Sequence, residues 1–357
     1  MEVVFLDGLS QTLAAELTAS LQAVKGLKLK SRGTVAFKRV GKKRYVYIQR
    51  MVNGRYEYEY VGPEDAVDAE RLKASLENAR EIYRLEKDKQ RKITRFLLGE
   101  GVVPVSGDAL RFLKALGKEG ALNKVVLVGT TAFLAYQVIL GFVPCRAHST
   151  LDVDIMRDGG LIKASQQILS LTSILENNGI NCVLESPPDV PFPVRLRLPN
   201  LTVDLLYPKI GSRHYVPPPE SGFSDVGAQA IPYARMLTED TYPGVLLHRG
   251  EAFLVVVPHP VGFALHKAVS FLRRSHEQKN RKEKDAYQAK TVLAAFLKIH
   301  EREEVEDTCF RLIKASAVGK QFRPALERLF EKWLDETEEA LKNVSGKKPH
   351  RRRSKRP

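Results

Sequence analysis

A run of nineteen residues without a charge, residues 125–143, constrains the fold of this chain more than any other feature. Its length alone would allow a membrane span. Several of its residues are nevertheless small or polar: Gly129, Thr130, Thr131, Tyr136 and Gln137. The pattern also changes at Gly129, after four apolar residues. We therefore predict a buried strand over residues 125–128 and a buried helix that stops at Gly141, in a soluble, cytoplasmic protein.

Two later apolar segments contain acidic residues. Residues 151–155 read Leu-Asp-Val-Asp-Ile, and strand alternation would place Asp152 and Asp154 on one face, with Cα atoms roughly 6.5–7 Å apart. Residues 201–206 form a short apolar strand pattern in which Asp204 is the single acidic residue. A buried Asp destabilises the fold unless it is paired or bound to metal. Two alternatives stay open. The pair can belong to a solvated turn, and Asp204 can be the structural partner of Arg195 or Arg197.

Carboxylates and phosphates suffice as ligands for Mg²⁺, and two adjacent carboxylates can share the divalent ions that phosphoryl transfer uses. The expected cofactor is therefore Mg²⁺ or Mn²⁺. Gly129 permits a tight strand-to-helix turn, Thr130 or Thr131 can cap the helix, and free N–H groups at its start can receive phosphate. The predicted catalytic and metal-binding residues are Asp152, Asp154 and Asp204. The predicted nucleotide-binding residues are Gly129, Thr130 and Thr131.

These motifs together resemble the DNA polymerase β-like nucleotidyltransferase superfamily. Gly129-Thr130 is similar to its strand-end turn, Asp152 and Asp154 to its paired acids, and Asp204 to its third acid. The departure is the interval of twenty-three residues from Gly129 to Asp152, which looks more like bacterial nucleotidyltransferase-like proteins, including abortive-infection toxins of toxin–antitoxin modules. The resemblance covers about residues 105–300. It implies a nucleoside triphosphate substrate and, in the toxin case, a cognate antitoxin.

The resemblance also implies phosphate-binding lysines after the third acid, and Lys267 and Lys284 are the candidates. Lys267 lies at the shoulder of an apolar helical stripe over residues 260–274, where a lysine that covers apolar surface is the alternative. Lys284 precedes Asp285, as in a Lys-Asp pair of toxin-like relatives, so that Asp285 can fix a neighbouring side chain. The preferred interpretation of Asp285 is a first-turn acid that stabilises the helix dipole.

The remaining patterns predict an α+β protein with a polymerase β-like α/β core. Residues 1–101 should hold a helix, a β-meander of three strands (34–40, 44–52 and 55–61) with an Asn53-Gly54 turn, and a long helix from Glu64 to about Leu98. Residues 102–258 would form the catalytic core, with loops over 212–240. Residues 259–341 would form a helical domain, and residues 342–357 a disordered basic tail.

The charge of the chain favours an anionic partner. The net charge is +15, and the last sixteen residues contain eight Lys or Arg and no acid. The meander intersperses tyrosines with Lys42, Lys43, Arg44 and Arg50, which permits nucleic-acid binding by charge and stacking. A sheet with one packed and one solvated face, and a tail that only adds solubility, are the alternatives. Three scattered cysteines indicate neither disulfides nor zinc.

The function that unites these observations is a Mg²⁺-dependent transfer of a nucleoside monophosphate from a nucleoside triphosphate to an acceptor hydroxyl. RNA, tRNA above all, is the first candidate acceptor and a protein side chain the next. A non-catalytic nucleotide- or nucleic-acid-binding protein on the same fold is one alternative. A small-molecule adenylyltransferase that modifies an antibiotic is another. No membrane partner is expected.

Overall fold

A computed structural model describes residues 3–52, 55–145, 152–157, 169–209 and 211–345. The predicted Asn53-Gly54 turn and the part of the predicted tail after Ser345 lie outside these residues. Within them, the chain contains both helices and mostly antiparallel or mixed sheets, as an α+β protein does. The predicted fold class is confirmed at this level.

The N-terminal part begins with a short strand, β1 (Val4–Phe5), and a long helix, α1 (Gly8–Lys30). An antiparallel sheet follows, made of β2 (Thr34–Val40), β3 (Lys43–Val52) and β4 (Arg55–Pro63), which confirms the three predicted strands. The next helix, α2 (Ala69–Gly99), begins later than the predicted start at Glu64. The prediction was wrong because the Asp68 carboxylate caps the helix, accepting from the Arg71 N–H, while Glu64 pairs with Arg44.

The central sheet contains the strands expected to hold the acidic residues. Helix α3 (Gly107–Lys118) leads to β5 (Val126–Val128), α4 (Gly129–Leu140) and the short β6 (Phe142–Val143), which pairs with β1. The sheet continues with β7 (Asp152–Met156), a short helix α5 (Leu171–Glu176), β8 (Val183–Glu185), β9 (Arg195–Leu198) and β10 (Leu201–Pro208). Two strands lie in the predicted loop region: β11 (Tyr215–Val216) and β12 (Ala228–Ile231).

The strand order is β11-β12-β10-β7-β5. Strand β9 pairs with the first half of β10 on one side and with β8 on the other. Strands β7, β10 and β12 run parallel, while β5 and β9 are antiparallel to their neighbours. Strand β7 therefore lies between β5, which ends just before Gly129, and β10, which carries Asp204. This order brings the three predicted motifs next to one another.

The C-terminal part begins with a hairpin that the sequence patterns did not indicate, β13 (Thr241–His248) and β14 (Glu251–Pro258). Helices then follow one another: α6 (Pro260–Arg273), α7 (Lys279–Leu297), α8 (Arg302–Ala315) and α9 (Arg323–Ser345). Helix α9 passes the predicted tail boundary at residue 342, so the first four residues of that segment are helical.

One large apolar cluster extends through the central sheet and helices α3, α4, α6 and α7. Its largest buried side chains include Phe112, Phe133, Tyr136, Phe263 and Phe296. The uncharged run forms β5 and α4 inside this cluster, as predicted, and α4 ends at Gly141 in the left-handed conformation. No helix among the described residues combines the length and apolar character that a bilayer span needs.

Candidate active site

The three predicted aspartates lie on adjacent parallel strands and on one face of the sheet. Asp154 of β7 is in register with Asp204 of β10, and Asp152 is in register with Thr202. Neighbouring strands are about 4.8 Å apart, and registered residues of parallel strands point to the same side. The alternating residues confirm the orientation, because Val153, Ile155, Val203 and Leu205 are all buried in the core on the opposite face. Asp152 is exposed, and Asp154 and Asp204 are partly buried.

Gly129 brings the backbone of the strand-to-helix turn against Asp154. Its φ is +62°, a conformation that side chains other than glycine rarely adopt. A Cβ atom at this position would overlap Oδ2 of Asp154 and lie 3.1 Å from its Cγ. The preceding residue, Val128, pairs with Asp154 across β5 and β7. Glycine is therefore required here both by the backbone conformation and by the carboxylate that approaches it.

Helix α4 begins directly at Gly129, so its first N–H groups lie beside the aspartates. The N-cap position is occupied by Val128, which has no side-chain acceptor. Thr130 and Thr131 are buried within the first turn, and the Thr131 hydroxyl donates to the carbonyl of Asp152 at 3.4 Å. The predicted capping role of these threonines is wrong, because the helix starts before them. Thr131 instead connects the helix start to the strand of paired acids.

The electrostatics of Asp154 show how closely the charged groups are gathered. Burial, followed by the negative charge of Asp204, raises the pKa of Asp154 from 3.8 to about 6. Asp152 acts in the same direction, while the positive charges of Lys267 and Lys284 oppose the shift. Burial and then the charge of Lys267 lower the pKa of Lys284. The two predicted lysines and the three predicted acids thus influence a common site.

Lys267 is held in place by a buried acid from the next helix. Its Nζ lies 3.0 Å from Oδ1 of Asp285, and Nε of Arg274 lies 2.6 Å from the other carboxylate oxygen. Asp285 is only 2 % exposed and lies in the second turn of α7, on the buried side of the helix. The preferred prediction for Asp285, a first-turn dipole acid, is therefore wrong. The alternative from the resemblance, an acid that fixes a neighbouring cation, matches the contacts.

Asp204 already has a cationic partner. Arg195 of β9 lies opposite it, and its guanidinium donates twice to the carboxylate, Nε to Oδ1 at 2.5 Å and the second nitrogen to Oδ2 at 3.2 Å. Arg197 pairs with Glu185 instead, at 2.8 Å. The alternative in which Asp204 is a partner of Arg195 is thus realised in this structure. The Arg195 side chain is 44 % exposed, so solvent can compete with the ion pair.

Sequence reasoning missed a cavity of about 290 Å³ beside Asp204 and Arg195. Its wall includes Tyr215 of β11 and Gln229 of β12, which belong to the segment predicted as loops. The short strands there have too few alternating residues to reveal themselves in the sequence. The volume of the cavity is just below the usual range of ligand pockets, about 300–1,000 Å³, so the cavity suits a small group.

The residues of the site agree with a hard divalent cation in the type of donor. Carboxylate oxygens are the ligands that such ions prefer, and a cation would relieve the repulsion that raises the pKa of Asp154. However, across the described ranges no three His, Cys, Asp or Glu side chains come close enough together to hold a metal ion. The donors therefore fit an ion at Asp152 and Asp154 more directly than at Asp204, whose oxygens Arg195 occupies.

A comparison with protein families agrees with this geometry. A family model described as nucleotidyltransferase matches residues 108–312, which include the central sheet, the aspartates and both lysines. No curated protein matches the chain. Because the model covers more than half of the chain, the protein belongs to this nucleotidyltransferase family. It is accordingly a transferase enzyme of the nucleotidyltransferase type, and its family implies a nucleoside triphosphate substrate.

Proposed function

We propose that this protein transfers a nucleoside monophosphate from a nucleoside triphosphate to an acceptor hydroxyl and releases pyrophosphate, by the mechanism of polymerase β-like enzymes. The observation that carries the proposal is the register of Asp154 with Asp204 on β7 and β10, with Gly129 closed against Asp154. This arrangement puts carboxylates, free helix N–H groups and two lysines around one place. Phosphoryl transfer needs such positioning and charge stabilisation more than covalent chemistry from the protein.

The triphosphate is assigned to the side of Gly129 and the lysines. The N–H groups at the start of α4 carry the positive end of the helix dipole and can donate to phosphate oxygens. Lys267 and Lys284 supply positive charge, and a bound triphosphate would favour the protonated form of Lys284 that burial and Lys267 disfavour. Asp285 orients Lys267 through a buried ion pair, so that the lysine meets phosphate without having to be ordered on binding.

The acceptor is assigned to the cavity beside Asp204. The acceptor oxygen would attack the α-phosphorus, the bond from this phosphorus to the bridging oxygen would break, and pyrophosphate would leave. Asp204 lines the cavity, where its carboxylate can take the proton of the attacking hydroxyl. A bound Mg²⁺ or Mn²⁺, held by Asp152 and Asp154, would supply charge stabilisation for the phosphates and the attacking oxygen. Asp204 would join as the third ligand once its oxygens are released from Arg195.

RNA is the acceptor that the chain's charge favours. The net charge of +15 gives any polyanion a long-range attraction, and tRNA remains the first candidate, followed by a protein side chain. The resemblance to bacterial toxin enzymes extends the proposal to a toxin with a cognate antitoxin. The small volume of the cavity suits the end of an RNA chain better than its interior.

One observation favours a different function. The bidentate ion pair between Arg195 and Asp204 would also be expected in a protein that binds nucleotides and has no need of a third carboxylate ligand. In such a protein Asp204 would only stabilise the pairing of β9 with β10. The competing function is therefore nucleotide or nucleic-acid binding without transfer.

Incubation with each α-labelled nucleoside triphosphate, Mg²⁺ and total RNA separates these functions. We expect label in RNA or in the protein itself, and at least about a hundredfold less with Asp154→Asn, in line with the loss of one key electrostatic group. Asp65→Asn, an exposed acid outside the site, is the matched control. Nucleotide binding without any label transfer would support the competing function. Label found only in added aminoglycoside-type hydroxyl compounds would indicate a small-molecule adenylyltransferase.

A further inference from the structure

The β2–β4 sheet has one packed face and one solvated face. Val46 and Ile48 lie on the packed face and are at most 9 % exposed. Ile48 and Leu76 of α2 both lie close to Gly33: a Cβ added to Gly33 would be 2.8 Å from Ile48 and 3.2 Å from Leu76. The packed face therefore lies against α2. Residues on the other side of the pleat therefore point into solvent. The composition of this solvated face is unusual.

Tyrosines occupy the solvated face instead of the polar residues expected there. Tyr56, Tyr58 and Tyr60 alternate along β4 and are 59 %, 42 % and 55 % exposed. Their neighbours across β3 include Tyr47, whose ring centroid lies 5.5 Å from that of Tyr60. The ring centroid of Tyr45 lies 6.0 Å from that of Tyr60. Four of the rings contact one another, and Tyr56 extends their row along β4. We call this surface the tyrosine face: Tyr45, Tyr47, Tyr56, Tyr58 and Tyr60.

Cations accompany the aromatic rings. Nζ of Lys38 lies 3.0 Å from the ring centroid of Tyr58 and 5.3 Å from that of Tyr47. Residues 34–63 contain seven Lys or Arg and only two acids, Glu57 and Glu59. Both acids alternate with the tyrosines along β4 and so point to the opposite side of the sheet, where Glu59 pairs with Arg50. The tyrosine face is thus left with an excess of positive charge.

A basic cavity lies at the end of β3, at the edge of the sheet, where Arg50 of the packed side and Met51 of the tyrosine side both line it. Its volume is about 430 Å³, and it is lined by Lys25, Lys28, Leu29, Arg32, Arg50, Met51 and Lys118. None of these lining residues is acidic. Met51 is in register with Tyr56, so the cavity begins where the row of rings ends. Burial and then the charge of Lys28 lower the pKa of Lys87, which shows that positive charge accumulates in this region.

We propose that the tyrosine face and the basic cavity form a binding surface for single-stranded RNA, with bases stacked on the rings and phosphates near the lysines and arginines. Aromatic rings accept unpaired bases of any sequence, and basic grooves attract the backbone; together they are the two elements of single-strand recognition. A second copy of this strongly basic chain would bring like charges together, and duplex bases are not free to stack. The surface is separate from the aspartate site, so it can hold an RNA whether or not transfer occurs.

Fluorescence anisotropy with a labelled oligoadenylate of about 12 nucleotides tests the proposal, because a site of this kind spans about 4–16 nucleotides. We expect the single strand to bind more tightly than the same strand paired with oligouridylate. The affinity should fall as salt rises, with a slope of about 0.7 for each phosphate contact. The Asp154→Asn variant should bind equally well, so this test does not depend on catalysis.

Variants distinguish stacking from charge alone. Tyr56→Ala combined with Tyr58→Ala should weaken binding at least about fivefold for each ring removed, while the corresponding Phe substitutions should keep most of the affinity. Lys28→Gln should weaken binding and reduce the salt slope by about 0.7. Phe310→Ala, which removes an exposed aromatic ring on α8, and Lys314→Gln on the same helix are the matched controls and should bind as the wild type does.

Three outcomes would overturn the proposal. The first is the absence of oligoadenylate binding at low salt by a protein that remains folded. The second is unchanged affinity in the Tyr56→Ala, Tyr58→Ala variant, or equal affinity for the duplex, since either would leave only nonspecific charge. The third is a wild-type dimer in light scattering that the same double variant converts to a monomer, because a second copy would then cover the tyrosine face.

Discussion

The substitution Gly129→Ala tests the contact that shapes the candidate active site. Gly129 has a φ of +62°, and an added Cβ would overlap the Oδ2 atom of Asp154. Asp154 is partly buried and its strand is held between β5 and β10, so the carboxylate itself would have to rotate away from its place beside Asp204. One methyl group therefore changes both the backbone conformation and the position of the carboxylate.

The expected magnitudes follow from these two effects. An alanine in the left-handed region lowers the free energy of unfolding by about 1–2 kcal/mol. Each kcal/mol lowers Tm by about 2–4 °C in a domain of about 150–250 residues. The carboxylate has to move by roughly 1 Å, and a displacement of that size can reduce catalysis about a hundredfold. We expect the loss of activity to exceed greatly what the small loss of stability would cause.

The assay compares label transfer with thermal unfolding for Gly129→Ala and a matched control, Gly26→Ala. Gly26 lies one turn before the end of α1 with no described atom within 4 Å of an added Cβ, so alanine there should be harmless or stabilise the helix by up to about 1 kcal/mol. If Gly129→Ala unfolds as expected but transfers label at the wild-type rate, the contact with Asp154 has no role in catalysis. The reasoning would then be refuted.

Three further substitutions probe the charges of the site. Without divalent ions, Asp154→Asn should raise the free energy of unfolding by up to about 3 kcal/mol at pH 7.5 and by much less near pH 4, because the raised pKa of about 6 makes the ionised carboxyl costly in the folded state. Asp285→Asn should lower the free energy of unfolding in urea by about 3 kcal/mol, because two partly buried cations lose their buried partner. Arg195→Leu should lower the Mg²⁺ concentration for half-maximal transfer about tenfold, because it frees the Asp204 oxygens.

Each of these expectations has an opposing result. The unfolded Asp154 carboxyl ionises near pH 3.8 and the folded one near 6, so stability falls as pH rises through this window; a pH-independent effect of Asp154→Asn would contradict the assignment. Glu220→Gln removes an exposed ion pair with Arg213 and should cost at most about 1 kcal/mol, and a similar cost for Asp285→Asn would deny its buried role. An unchanged Mg²⁺ requirement in Arg195→Leu would show that Asp204 does not bind the ion.

The strands of the active site could be predicted because each contains a strong local pattern. The run Val-Val-Leu-Val before Gly129 and the alternation around Asp152 and Asp154 specify buried strands without any knowledge of neighbours. Their assembly on one sheet face followed from the resemblance and is confirmed by the registers of β7 with β5 and β10. The meander was equally predictable, because its alternation and turns are local.

The partners of the charged residues could not be predicted in the same way. Arg195 and Asp204 pair across β9 and β10. The sequence left Arg197 as an equal candidate, because the two arginines are two residues apart and share one face of the strand. Asp285 could pass for a helix-start acid, since the position of α7 relative to Lys267 depends on tertiary packing. Strand β12 has four residues, too few for a period to be visible, so the cavity wall that contains Gln229 was missed.

Binding of Mn²⁺, followed by electron paramagnetic resonance in the presence of a non-hydrolysable nucleoside triphosphate analogue, tests the assignment of the aspartates most directly. The wild-type protein should take up the ion, and Asp152→Asn, Asp154→Asn and Asp204→Asn should each weaken its binding by tenfold or more, while Asp65→Asn leaves it unchanged. Equal Mn²⁺ binding by the wild type and all three site variants would contradict a metal-dependent nucleotidyl transfer at this site.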